Sequence, residues 1–136
     1  SSMTLQQMTE ANGKSELDMS LGGWLGEFPD PVTFLSLFYG ADVPSSASEM
    51  SYPNESRYKN TEFDKLYEKA LVTIDDSKRY ELCLQADQII ASDVPGIPLW
   101  YHENYQLIKA NITGYHANSM DIRSLTHVKI EELVVK

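Results

Sequence analysis

The chain has 136 residues, 42% of them hydrophobic and 23% charged, a balance suited to one globular domain, or a piece of one, with enough length for a core. Its net charge of −9, from 20 acidic against 11 basic side chains, argues against nucleic acid, which needs a basic face, and suits a cationic ligand group. No apolar run approaches the ~18 residues of a membrane span, and the single cysteine, Cys83, excludes an internal disulfide and a multi-cysteine metal site. No signal peptide is legible, and Ser1-Ser2-Met3 reads as a cut or engineered start.

Thr4 to Asn12 predicts the end of a helix, because Leu5, Met8 and Ala11 recur at three-residue steps and Asn12-Gly13 is a stop signal. Glu16 to Leu21 alternates polar and apolar residues, which predicts a half-buried strand over 17–21. Gly22 to Pro31 then packs three glycines, two prolines, two aromatics and two acids into one loop. Its glycines open backbone conformations and allow close approach of a ligand, while the prolines hold Phe28 and Asp30 extended. Trp24 and Glu27 are thus expected just past a strand end, where α/β sheets commonly hold ligands. The plainer alternative is a surface turn in which Trp24 plugs the core.

Val32 to Tyr39 is apolar and aromatic and predicts a short buried helix begun after Pro31. Gly40 to Lys59 reads as a long ordered loop. Phe63, Leu66, Tyr67, Ala70, Leu71 and Ile74 form a helical stripe over 61–74, capped by Asn60 or Thr61. Leu82, Cys83, Ala86, Ile89 and Ile90 form another over 76–92, capped by Asp75 or Asp76, and the short link makes a helical hairpin. Cys83 lies in the stripe and reads as a buried, inert thiol. Pro95-Gly96 ends the second helix. Residues 97–101 and 105–109 read as strands, with Trp100 and His102 on one face of the first. Residues 111–126 read as loop, and Val128 to Val134 as a final strand. The fold class is mixed α and β, with the hairpin packed on a mixed sheet.

Catalytic signals are sparse. His102, His116 and His127 have no metal-ligand spacing, and neither a Walker-type phosphate loop nor a GxSxG elbow occurs. Glu27 and Asp30 could serve a hydrolase only as paired acids flanking a sugar. The two tryptophans and eight tyrosines suit binding. A carboxylate beside an indole can hold a cation.

The order of motifs carries a resemblance. Gly23-Trp24-x-x-Glu27-Phe28-Pro29-Asp30-Pro31 is followed by Tyr58-Lys59-Asn60-x-x-Phe63-Asp64-Lys65-Leu66 and Asp76-x-Lys78-Arg79-x-Glu81-Leu82. Ala86-x-x-Ile89, Asp93-x-Pro95-x-Ile97-Pro98-Leu99 and Gly114-Tyr115 complete the series. From about Leu5 to Val134 the chain resembles the C-terminal part of the extracytoplasmic solute-binding proteins of peptide ABC transporters, the oligopeptide- and dipeptide-binding family (solute-binding family 5).

The resemblance implies part of one lobe of a two-lobed periplasmic-binding-protein-like fold of type II. Residues 1–136 would be a single partial domain, with a terminal strand over 126–136 returning towards the other lobe. It implies a non-enzymatic importer component without cofactor or metal, located outside the cytoplasm, that binds a peptide and delivers it to an ABC permease. The implied ligand residues are Gly23, Trp24, Leu25, Glu27 and His102, with Glu27 taking the free α-ammonium. Glu27 stands where aspartate is usual, and Leu21 where some members have an arginine for a ligand carboxylate. Pro44 to Ser56 also departs from the pattern. The rival readings are the same scaffold carrying nickel chelate, haem or oligosaccharide, a hydrolase using Glu27 and Asp30, and an interaction domain without a small ligand. Because the helix faces and strand edges would lack cover encoded upstream, self-association is expected.

Overall fold

The computed structural model describes residues 3–101, 103, 105–118 and 120–132. They form two compact units, which divide between Pro98 and Leu99.

The first unit is helical. Helix α1, Leu5–Gly13, opens on a capping box. The Gln7 N–H donates to the Thr4 hydroxyl at 3.3 Å, and the Thr4 N–H donates to the Gln7 side chain at 2.9 Å. Helix α2, Val32–Leu35, begins directly after Pro31 and tightens into a 3-10 turn over Ser36–Phe38. A second tight turn, Gly40–Asp42, follows. Here the Gly40 N–H donates to the Asp64 carboxylate at 2.8 Å, and a β-carbon at residue 40 would lie 2.6 Å from that carboxylate. A larger residue here would push that carboxylate away from the backbone N–H.

Helices α3, Thr61–Val72, and α4, Asp76–Asp93, form the expected hairpin. Asn60 Oδ1 accepts from the N–H groups of Glu62 and Phe63 at 2.9 and 3.2 Å, and Asp75 accepts from that of Lys78 at 2.9 Å. Both caps satisfy orphan helix donors. Helix α4 ends at Val94, which adopts the left-handed conformation at φ 50° immediately before Pro95. The core joins Phe63, Tyr67 and Ala70 of α3, Leu82, Cys83 and Ala86 of α4, and Val32 and Leu35 of α2. Phe63 is completely covered, a burial worth roughly 1.5–3 kcal/mol, and its ring stacks on Tyr67 one turn later. The predicted stripe of α3 is covered only in part: Leu71 is half exposed, and Ile74 is exposed beyond the helix end.

The second unit holds a two-stranded antiparallel sheet of β1, Ile112–Thr113, and β2, Lys129–Ile130, with Ile112 opposite Ile130 and Thr113 opposite Lys129. Gly114 sits at φ 73°, where a β-carbon would lie 2.0 Å from the His127 carbonyl oxygen, so this position admits only glycine.

Helices and a small sheet together make the mixed class expected, but three predicted strands are not formed. Residues 17–21, 97–101 and 105–109 have no strand structure where described, and the hairpin is not laid on a sheet built from them. Met19, Leu21, Ile97, Leu99, Tyr101 and Leu107 are exposed. Alternation marks a chain able to be a strand, but a strand exists only when a neighbour takes up its N–H and C=O groups. Among the described residues, the only such pairing is β1 with β2. Strand β1 also falls inside the stretch expected to be loop. Of the final strand, Lys129–Ile130 is formed, and 133–136 lie outside the described residues.

Candidate functional site

The Gly22–Pro31 loop is irregular, as its composition requires, and it is pinned at its far end. Asp30 Oδ1 accepts from the Val32 N–H at 3.0 Å and so turns the chain into α2. Asp30 Oδ2 pairs with Arg79 Nη2 of α4 at 2.6 Å, with the two side chains 19% and 27% exposed. The Glu27 N–H donates to the Thr33 hydroxyl at 3.3 Å. The loop is thus tied to the two helices behind it while the Glu27 side chain remains exposed. Asp30 already holds a cation and a backbone donor, so it is not an unpaired acid available beside Glu27.

Trp24 is half-buried, with its ring 6.1 Å from that of Tyr52 at 51°. Its indole N–H is shielded from solvent and has no acceptor among the described residues. Gly23 and Leu25 flank it in the open. The expectation that the glycines serve unusual backbone angles is corrected at Gly22 and Gly23: neither adopts a positive φ, and nothing lies within 4 Å of where a β-carbon would stand. Both leave the backbone uncovered. The placement beside a strand end is corrected as well, since 17–21 is not a strand.

Tyr52 belongs to the 44–59 segment, which polar contacts hold in place. Asn54 is fully buried, and its amide donates to the carbonyls of Tyr39 and Tyr58 at 3.0 and 2.8 Å. The Asn54 Oδ1 accepts from the Ser56 hydroxyl at 2.9 Å and from the Tyr58 N–H at 3.2 Å. The Arg57 guanidinium donates to the carbonyls of Ser46, Ala47, Glu49 and Gly13. The Ser51 N–H also donates to the Gly13 carbonyl, at 2.9 Å, docking the segment on the end of α1. Tyr58 and Asn60 both donate to Asp93 at the end of α4. Burial, then the Asp93 hydrogen bond, pushes the Tyr58 hydroxyl up to about 12, and the bonds from Tyr58 and Asn60 hold the Asp93 carboxyl below the usual range.

Of the residues singled out in the sequence, Gly23, Trp24, Leu25 and Glu27 share this loop, and His102 lies outside the described residues. Sequence reasoning missed Arg79 and Tyr52. Asp30-Pro31 before an apolar run marks a helix start with an acid that needs a partner, but no local pattern names that partner. Nothing in the spacing of Trp24 and Tyr52 shows that they meet.

No protein-family model matches the chain. Among curated relatives, it is 30% identical to di/tripeptide-binding protein 2 of Pseudomonas aeruginosa over 92% of this chain and 23% of that protein. It is 32% identical to the periplasmic oligopeptide-binding protein OppA of Salmonella typhimurium over 72% of this chain and 16% of that protein. It is 30% identical to the oligopeptide-binding protein OppA of Bacillus subtilis over 68% of this chain and 15% of that protein. The chain is similar to these peptide-binding proteins, and it spans about a fifth of the length of the curated relatives it matches.

Proposed function

We propose that the chain is the C-terminal part of an extracytoplasmic solute-binding protein that takes a peptide between two lobes and passes it to an ABC permease. It supplies only part of the ligand site. Residues 126–136 would return towards the other lobe. The observation that carries this reading is the exposed Glu27 carboxylate on a loop tied through Asp30 and Thr33 to the helices behind it. Such an acid suits the free α-ammonium of a peptide through charge-assisted hydrogen bonds. Gly23, Trp24 and Leu25 would line the peptide backbone beside it, and His102 would face the same ligand. Binding rather than hydrolysis fits, because the second acid of the loop is held by Arg79.

Calorimetry on the whole binding protein that contains this chain tests the assignment. Glu27→Gln is expected to weaken peptides with a free amino group by about 1.5–3 kcal/mol, the worth of a hydrogen bond to a charged group. N-acetylated peptides are expected to lose much less. Equal losses for both would remove Glu27 from the amino-binding role. Binding of a nickel chelate, haem or an oligosaccharide in place of peptide would overturn the choice of ligand.

A further inference from the structure

Tyr52 is an exposed aromatic on a fixed backbone. The residue is 58% exposed, while Ser51 before it and Asn54 two residues after it have no exposure at all. Ser51 is held through its N–H to Gly13 and through its hydroxyl, which donates to the Asn54 carbonyl at 2.7 Å. The Asn54 amide and the Arg57 guanidinium hold the turn on either side of this bond. Tyrosine anchored in this way offers a large rigid contact area and loses little freedom when a ligand packs on it. Its ring stands 6.1 Å from that of Trp24 and tilted by 51°, so the two rings form adjoining walls rather than a closed stack. Trp24 belongs to the ligand loop, and Tyr52 therefore borders the same site from a different segment.

We infer that Tyr52 is a further ligand-contacting residue, whose ring beside Trp24 receives an apolar side chain of the bound peptide. This rests on the peptide-binding reading above. The occupant is apolar because the wall it meets is two aromatic faces. Preference for such side chains is then set by the 44–59 segment as well as by the ligand loop.

The test uses the whole binding protein with two dipeptides, alanyl-phenylalanine and alanyl-glycine. Tyr52→Ala is expected to weaken alanyl-phenylalanine about tenfold, the size of a substantial interface contact, and alanyl-glycine by less than about threefold. An unchanged affinity for both, or an equal loss for both, overturns the proposal while leaving the peptide-binding reading intact. A wild-type protein that binds neither dipeptide nor longer peptides overturns both. Nuclear Overhauser contacts in the wild-type protein provide a readout that does not depend on the variant folding. Contacts between the ligand phenyl ring and the Tyr52 ring protons are expected, and their absence with alanyl-phenylalanine bound overturns the proposal.

Discussion

Arg79 Nη2 lies 2.6 Å from Asp30 Oδ2, which joins the loop motif at 22–31 to the helix motif at 76–82. Both side chains are largely covered, and Asp30 also accepts from the Val32 N–H, so one carboxylate orients the 22–31 loop and starts α2 together. Asp30→Ala is expected to destabilise the first unit by about 1.5–3 kcal/mol, since it removes a charged acceptor and strands a partly buried guanidinium. Adding Arg79→Met to that variant is expected to cost less than it does in the wild type, because the pair is already broken. Urea denaturation of the four proteins of the cycle measures the coupling. Strict additivity would show that the two side chains do not depend on one another.

The Tyr58–Asp93 bond predicts a pH window. Asp93 has a lowered folded pKa, so its contribution is present above the unfolded carboxylate value and is lost as pH falls through the folded one. Tyr58 is raised to about 12 when folded, so its contribution is present below the unfolded value near 10 and is lost as pH rises through the folded value. The stability difference between wild type and Tyr58→Phe should therefore be greatest between about pH 5 and 9 and shrink towards both extremes. Chemical denaturation across that range checks it, and a difference independent of pH would place the effect of the hydroxyl elsewhere.

Cys83 is 3% exposed in the core, and burial, with Asp30 as a lesser cause, pushes its thiol up. A thiolate is the reactive form. Reaction with a thiol reagent near pH 8 is expected to be on the order of a hundredfold slower in the native chain than in urea, because attack waits on opening of the hairpin. Absorbance of the released reporter gives both rates. Equal rates would mean that α3 and α4 do not cover the thiol. Cys83→Ser is expected to cost about 1–3 kcal/mol, for it buries a hydroxyl in an apolar site.

The helices were legible because their causes are local. Apolar stripes, the Asn60 and Asp75 caps, Pro31 at a helix start and Asn12-Gly13 at a stop all act within a few residues, so both hairpin helices could be read from spacing alone, the first read two residues too long at its end and the second one residue too short. The loop at 22–31 was legible for the same reason, and so was Cys83 as a buried thiol. Strands depend on partners distant in sequence. Residues 17–21 alternate as a strand should but have no partner among the described residues, whereas Ile112–Thr113, read as loop, pairs with Lys129–Ile130. Contacts between segments were equally hidden. The meeting of Asp30 with Arg79, of Trp24 with Tyr52, and of Arg57 with the Gly13 carbonyl depends on where folding brings groups that are far apart in the chain. Composition and spacing determined which residues could form helices, caps and an irregular glycine- and proline-rich loop; tertiary structure decided which side chains hold that loop and which remain exposed, because those contacts join groups far apart in the chain.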